Sequence, residues 1–276
     1  MLRERAASAA ILVPVLLVAL ALGNPFIAIA VGLATFVAAL EVFALLRAAG
    51  YPSLPALGTV FAVVLLADAI APDRFAAGGL LLASIGIALV AVGAFSRGDP
   101  REGFTTWMAT VFGAVYVAQL GFVVRLGAIA PPLPAGARLE ALGAERAWIL
   151  LLVLGVWAYD TGAYFVGRRF GRARFLEHIS PSKTYAGLLG GLSAATVVVT
   201  IVLWGIGRPP LEGLVLGPLV GLAAQAGDLA ESMLKRAAGA RDSGTLIPGH
   251  GGMLDRIDSF LVAAPVVTLY VVAVVA

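Results

Sequence analysis

The sequence contains no cysteine and little charge. With no cysteine among its 276 residues, the chain can form neither disulfides nor thiolate metal sites, and it has no cysteine nucleophile. Only 13% of the residues are charged and 61% are hydrophobic, which leaves too little polar surface to cover a soluble globule of this size. These features argue against an ordinary soluble domain and predict a protein that folds in lipid.

The apolar residues occur in long runs, close to the ~20 residues that a helix needs to cross a hydrocarbon core of ~30 Å. The runs lack the alternation of a membrane β-barrel. Breaks at Gly, Pro and charged residues divide them into nine stretches, which are 7–22, 25–47, 54–71, 75–95, 104–127, 147–167, 184–206, 211–236 and 256–276. We therefore expect an all-α, polytopic integral membrane protein with about nine transmembrane helices. Eight is the alternative, if the first two stretches merge around Asn24 and Pro25.

The domain prediction is one transmembrane domain over residues 1–276, with N-terminal helices over 1–127 and catalytic helices and cytoplasmic loops over 147–276. In a nine-span topology, the basic residues collect on one side, which the positive-inside rule places in the cytoplasm. The exceptions among the 19 Lys and Arg residues are Arg74, Arg125, Arg138, Arg146 and Arg208. Membrane topology thus explains the excess of 19 Lys and Arg over 16 Asp and Glu residues, and we expect no nucleic-acid partner.

A carboxylate inside a predicted span costs at least ~2.5 kcal/mol and marks a functional candidate, and three such residues stand out. They are Asp160 in WAYDTGAYFVG, Asp228 in QAGDLAESMLKR and Glu41. Glu41 lies six residues before Arg47, so we expect it to snorkel or pack at the membrane interface. Asp160 and Asp228 are the stronger candidates for a site.

The span that contains Asp228 carries a polar face. Asp228, Glu231, Ser232 and Lys235 follow the i, i+3, i+4, i+7 spacing of one helix face. Earlier in this span, Gly213, Gly217 and Gly221 recur every four residues, which predicts close approach of a neighbouring helix.

A second acidic face opens the last span. The connecting segment reads RDSGTLIPGHGGMLDRIDSF, and Asp255, Asp258 and Ser259 begin the following helix on one face. Acidic residues in a first helical turn also complement the helix dipole. A dipole role alone does not account for the matching acidic face on the preceding span.

Basic and hydroxyl residues accompany these carboxylates. Carboxylates beside Lys235, Arg236, Arg241 and Arg256 suit Mg²⁺ chemistry on phosphates. In the loop between the sixth and seventh stretches, Ser180, Ser182, Lys183 and Thr184 suit phosphate capture at a helix N-terminus. His250 could be a ligand, an acid or a phosphate donor, or simply a hydrogen-bonded loop residue. The sequence has no P-loop, GxGxxG or HExxH motif.

Residues 232–258, SMLKRAAGARDSGTLIPGHGGMLDRID, closely resemble the signature of phosphatidate cytidylyltransferases, also called CDP-diacylglycerol synthases. The resemblance extends back through GDLAES and SPSKT to the Asp160 segment, whereas the first half matches only as apolar spans. Two positions depart from the family pattern. Arg241 stands where the family has Lys, and Ala186 stands where it usually has Glu, for which Glu177 is a weak substitute.

The resemblance implies transfer of CMP from CTP to phosphatidate, which releases pyrophosphate and forms CDP-diacylglycerol. It implies that Asp228 and Asp255 hold Mg²⁺, with K⁺ as a second ion, and that Lys235 and Asp258 complete the catalytic group. The expected substrate-binding residues are Ser180, Ser182, Lys183, Thr184, Ser232, Arg236, Arg241, His250, Gly251, Gly252 and Arg256. Asp160 is a further candidate, with a structural or metal-linked role.

The resemblance also implies a bacterial-type inner membrane protein whose active site faces the cytoplasm, and a homodimer, which small-residue helix faces permit. Two alternatives remain. Another CTP-dependent lipid enzyme, such as a polyprenol kinase, would move the γ-phosphate instead of CMP. A secondary transporter would also bury carboxylates within glycine-rich helices.

Overall fold

The computed structural model describes residues 14, 17–70, 78–245 and 251–275. The α-helices in these ranges are α1 (Phe26–Ala48), α2 (Pro55–Ile70), α3 (Gly78–Ala94), α4 (Pro100–Ala118), α5 (Phe122–Ile129), α6 (Ala144–Phe170), α7 (Tyr185–Gly205), α8 (Gly213–Ala237) and α9 (Leu254–Tyr270). In these ranges, Arg174 and Thr184 form an isolated antiparallel β-bridge. The predicted all-α class is confirmed for this part of the chain.

Among the residues that the structure describes, six helical segments are long and apolar enough to cross a membrane. They are Phe26–Ala48, Pro100–Ile129, Ala144–Phe170, Tyr185–Gly205, Pro210–Ala237 and Leu254–Val275. The apolar helices α2 and α3 have 16 and 17 residues, short of the ~20 that a bilayer-spanning helix requires. The first predicted stretch, 7–22, lies largely outside the described residues. The structure therefore supports six candidate spans and does not confirm nine.

The outer faces of these helices are apolar. Exposed large hydrophobic side chains include Leu33, Leu80, Leu189, Leu214 and Val272. Exposed apolar surface on this scale suits lipid rather than water. Together with the six long apolar helices, it identifies the chain as an integral membrane protein.

The chain divides into two compact units. The first contains Met1–Val124 with Leu234–Ile257, and the second contains Arg125–Met233 with Asp258–Ala276. In the first unit, the fully buried ring of Phe43 packs against Gly58 of α2 and Gly113 of α4. A Cβ at Gly113 would lie 2.6 Å from that ring, so the two glycines let α2 and α4 close around α1.

In the second unit, the glycines of α8 pack against α7 as the sequence predicted. A Cβ on Gly221 would lie 2.8 Å from Leu192, and a Cβ on Gly213 or Gly217 would overlap Thr200 or Thr196. Small residues with this spacing let two helix backbones approach closely. The helix that carries Asp228 is thereby packed against α7.

Candidate active site

Asp228 lies in the C-terminal half of α8 and forms an ion pair with Lys183. The Ser232 hydroxyl, one turn further along α8, donates to Asp228 Oδ1 over 3.4 Å. Both side chains of the ion pair are 23% exposed. The carboxylate therefore has one close cationic partner, one long hydrogen bond and access to the surroundings.

Lys183 reaches Asp228 from a loop that folds back on itself between α6 and α7. The backbone N–H of Phe175 donates to the Lys183 carbonyl over 3.2 Å, and the N–H of Tyr185 donates to the Ala173 carbonyl over 3.1 Å. This short pairing fixes the end of the loop where α7 begins. Thr184 is the N-cap of α7, since its hydroxyl oxygen accepts from the Gly187 N–H over 3.1 Å.

The predicted hydroxyl residues of this loop have different environments. Ser180 is buried and Ser182 is exposed. The Thr184 hydroxyl oxygen accepts a hydrogen bond that caps α7, although its O–H can still donate. Of the predicted group, Lys183 is the residue that the structure brings to Asp228.

Asp258 approaches the same stretch of α8 through its backbone. A Cβ on Gly227 would overlap the Asp258 carbonyl oxygen and would lie 3.0 Å from Ser259 Cα. Only a glycine fits this crossing, which places Asp258 beside the residue that precedes Asp228. The Asp258 carboxylate accepts from the Ser259 N–H over 2.7 Å.

Asp255, in the first unit, has a more enclosed environment. Lys235 Nζ donates to its Oδ1 over 2.6 Å, and the two side chains are 12% and 7% exposed. Oδ2 accepts from the N–H groups of Ser243 and Gly252, each over 2.8 Å, and lies 2.9 Å from Ser243 Oγ. A Cβ on Gly251, whose φ is +81°, would lie 2.5 Å from Oδ2. Both carboxylate oxygens are therefore engaged by the protein.

The three predicted arginines of this region are exposed. Arg236, Arg241 and Arg256 are exposed, whereas the side chains of the Lys235–Asp255 pair are largely enclosed. Arg236 donates to the Ala240 carbonyl over 3.2 Å at the end of α8. Exposed guanidinium groups can form bidentate contacts with phosphate oxygens. The burial pattern thus separates an enclosed acidic residue from accessible basic ones.

Sequence reasoning missed Ser243, and it expected Glu41 only to snorkel or pack at the membrane interface. The Glu41 side chain does not snorkel: the residue is 8% exposed and accepts from Met253 N–H, Leu254 N–H and Ser243 Oγ over 2.8–2.9 Å. The signal was present, because a charge inside an apolar span is costly unless the fold uses it. Nothing in the sequence indicated that its partners lie more than 200 residues away.

Two further candidates are placed only in part. Asp160 is exposed on α6, next to the buried Tyr159, whose hydroxyl donates to Gln225 Oε1 over 2.6 Å. His250 lies outside the described residues. Because Asp228 belongs to the second unit and Asp255 to the first, the sequence-based idea of a shared metal site remains a prediction.

The chain is similar to known cytidylyltransferases. A model described as the cytidylyltransferase family matches residues 3–274. A phosphatidate cytidylyltransferase of Synechocystis is 49% identical over 119 residues, which are 42% of this chain and 40% of the relative. One of Bacillus subtilis is 41% identical over 120 residues, 43% of this chain and 45% of the relative.

A plant relative matches a longer segment. The chloroplastic phosphatidate cytidylyltransferase 5 of Arabidopsis thaliana is 38% identical over 179 residues, 60% of this chain and 44% of the relative. The chain spans less than half the length of the curated relatives it matches.

Proposed function

The chain belongs to the cytidylyltransferase family, and from this membership we propose that it transfers CMP from CTP to phosphatidate. An oxygen of the phosphatidate phosphate attacks the α-phosphorus of CTP and forms a new P–O bond. The bond from the α-phosphorus to the bridging oxygen breaks, and pyrophosphate leaves. Because the attacking phosphate is already an anion at neutral pH, the step needs no strong general base.

The observation that carries this proposal is that both proposed metal ligands, Asp228 and Asp255, form ion pairs with lysines. Asp228 pairs with Lys183, and Asp255 pairs with Lys235. The exposed Arg236 and Arg256 directly follow Lys235 and Asp255 in the chain. Such groups can hold the polyphosphate of a nucleotide and stabilise the charge that develops on the leaving pyrophosphate. We assign Lys183, Ser180 and Ser182 to positioning a phosphate, and Arg236, Arg241 and Arg256 to neutralising charge.

Carboxylate oxygens are also the type of ligand that a hard divalent cation such as Mg²⁺ prefers. Mg²⁺ is usually bound by one or two carboxylates together with water and substrate phosphates, so the lack of a cluster of three or more acidic or His ligands in the described ranges is compatible with it. Each of the two aspartates already holds an ammonium group. We propose Asp228 and Asp255 as the protein ligands, with K⁺ as a second ion.

When bound, Mg²⁺ would supply charge stabilisation at the α-phosphate and the pyrophosphate. The protein's own residues would set the geometry. Lys183 and Ser232 hold Asp228, and Gly227 lets the Asp258 backbone approach it. On the other unit, Ser243 and Gly252 hold Asp255 in one orientation.

The test is an assay of purified protein with CTP, phosphatidate and Mg²⁺, with and without EDTA. We expect CDP-diacylglycerol and pyrophosphate in equal amounts, and loss of both with EDTA. A phosphorylated lipid with CDP would instead indicate a polyprenol-kinase type of reaction. Movement of substrate across liposomes without consumption of CTP would indicate a transporter.

We further propose an inner-membrane location and a cytoplasmic site, because basic loops favour the cytoplasmic side. We also propose a homodimer, which the family resemblance implies and small-residue helix faces permit. The absence of cysteine allows a clean labelling test of orientation. In the nine-span topology with a cytoplasmic amino terminus, the segment 128–146 is an external loop. In intact cells, a membrane-impermeant maleimide should label Ala135→Cys in this loop and should not label Thr245→Cys, two residues after Ser243. Labelling in the opposite pattern would reverse the topology.

A further inference from the structure

Glu41 is an acidic residue in the middle of an apolar helix, and its partners are specific. Its Oε1 accepts from the Met253 N–H over 2.9 Å, and its Oε2 accepts from the Leu254 N–H over 2.8 Å. Leu254 is the first residue of α9. The N–H groups of a first helical turn have no partner within the helix, so Glu41 supplies acceptors where α9 begins.

The same carboxylate reaches the residue that holds Asp255. Ser243 Oγ lies 2.9 Å from Glu41 Oε2 and 2.9 Å from Asp255 Oδ2. A serine hydroxyl has one hydrogen, so it donates to one of the two carboxylates at a time. Ser243 therefore links Glu41 to Asp255 directly, and the Ser243 N–H also donates to Asp255 over 2.8 Å.

Two glycines near Ser243 and Asp255, Gly244 and Gly252, lie close to the Glu41 carboxylate. A Cβ on Gly244 would lie 2.8 Å from Glu41 Oε1, and a Cβ on Gly252 would overlap the Glu41 carboxylate and Ser243 Oγ. Gly252 also donates its N–H to Asp255 Oδ2 over 2.8 Å. The loop backbone thus packs against one carboxylate and binds the other.

The position of α1 is itself fixed. Phe43, two residues after Glu41, is fully buried and packs against Gly58 and Gly113. A rigid helix that carries a buried carboxylate can orient a distant loop.

We propose that Glu41 is a positioning residue for Asp255, acting through Ser243 and through the first turn of α9. The proposal rests on the proposed function for its effect on turnover. It assigns a role in that reaction to the N-terminal half of the chain, which the signature does not cover. Residues that orient a ligand-bearing side chain typically change metal affinity or activity by roughly 10–100-fold when replaced.

The main variant is Glu41→Gln, which keeps the size of the side chain but turns one acceptor oxygen into an NH₂ donor that faces other donors. The matched control is Asp68→Asn, the same change at a carboxylate of the same unit that lies near Gly79 of α3. We expect Glu41→Gln to lower kcat per folded molecule by roughly 10–100-fold, with a smaller change in KM for CTP. Glu41→Asp, which keeps the charge, should recover part of the loss, and Asp68→Asn should resemble the wild type.

Hydrogen exchange gives a readout that does not depend on turnover. In detergent, Glu41→Gln should speed amide exchange over residues 243–256, and Asp68→Asn should not. Unchanged exchange in Glu41→Gln would overturn the proposal. Faster exchange with an unchanged kcat per folded molecule would also overturn it, because Glu41 would then support the fold without orienting Asp255.

Failure of the proposed function is distinguishable from failure of this inference. If the wild type forms no CDP-diacylglycerol, the proposed reaction is wrong, and exchange still decides whether Glu41 holds the loop. Should Glu41→Gln not fold, Ser243→Ala removes the link and leaves Glu41 on Met253 and Leu254. A wild-type kcat and wild-type exchange in Ser243→Ala would contradict the proposal.

Discussion

Asp228 and Asp255 each pair with a lysine, yet their surroundings differ. Asp255 is 7% exposed in its side chain, and its Oδ2 alone accepts from two backbone N–H groups and lies within hydrogen-bond distance of a hydroxyl. Asp228 is 23% exposed and has, besides Lys183, a hydroxyl at 3.4 Å. Asp255 is held by the fold, whereas Asp228 is held mainly by one flexible side chain.

The difference indicates a division of work. Because both oxygens of Asp255 accept hydrogen bonds from the protein, this carboxylate stays in one orientation. A fixed orientation suits a residue that positions the substrate. A carboxylate paired with one long, flexible lysine side chain can exchange that partner for another cation at little cost, because an ion pair with access to solvent contributes only about 1 kcal/mol. We therefore expect Asp228 to be the residue that responds most to a bound cation.

Replacement of Asp255 by Asn should have the largest effect. The amide loses one acceptor oxygen and the negative charge that faces Lys235 Nζ at 2.6 Å, and disrupting a buried ion pair costs about 3 kcal/mol. We expect loss of Mg²⁺-dependent turnover together with a lower Tm, while the protein still folds in detergent. Activity assays and thermal unfolding of the same preparation measure both.

A matched control for this variant is available in the same unit. Asp68→Asn makes the identical change outside the Ser243 loop and should leave Tm close to the wild type. An Asp255→Asn protein with a wild-type Tm would contradict the view that the fold depends on this carboxylate. Near-normal turnover would remove Asp255 from the proposed metal site.

Replacement of Asp228 by Asn should also abolish Mg²⁺-dependent turnover, but with little change in Tm. The Asn side chain can still accept from Lys183 and Ser232, and the partly exposed ion pair that it replaces contributes about 1 kcal/mol. Thermal unfolding with and without Mg²⁺ sharpens the comparison: the wild type should gain stability from Mg²⁺, and Asp228→Asn should not. A fall in Tm as large as that of Asp255→Asn would erase the distinction between the two residues.

Much of this architecture could be predicted from the sequence. The apolar runs gave the helical membrane fold, and the spacing of Gly213, Gly217 and Gly221 correctly predicted close packing of α8 against a neighbour. Helix periodicity is local, so these features need no knowledge of distant contacts. The number of spans was less secure, because α2 and α3 are apolar but shorter than a full crossing.

The contacts of Glu41 could not be predicted in the same way. Its hydrogen bonds join positions separated by 202–213 residues, and no periodic pattern records such a separation. The motif around Asp255 marked the loop but gave no reason to name Ser243, whose role depends on lying between two carboxylates. Long-range polar contacts are set by tertiary packing, which a single sequence shows only as an unexplained charge.

The smallest effect should come from Gly227→Ala, which tests whether the Asp228 region is set by helix packing. A Cβ there would overlap the Asp258 carbonyl, and overpacking of this kind costs about 1–3 kcal/mol. The gain in helix propensity from Gly to Ala is about 1 kcal/mol, so the clash should prevail. We expect a modest fall in Tm and a several-fold loss of turnover as the two helices separate.

Gly98→Ala is the control for this last change, because no atom lies within 4 Å of a Cβ at that exposed position. It should match the wild type in both Tm and turnover. If Gly227→Ala were equally neutral, the helices would tolerate separation at Asp258, and the Asp228 site would depend on Lys183 alone. If only Gly227→Ala lowered Tm and turnover, backbone packing would orient Asp228. Asp255 is oriented instead by hydrogen bonds from the Ser243 and Gly252 N–H groups.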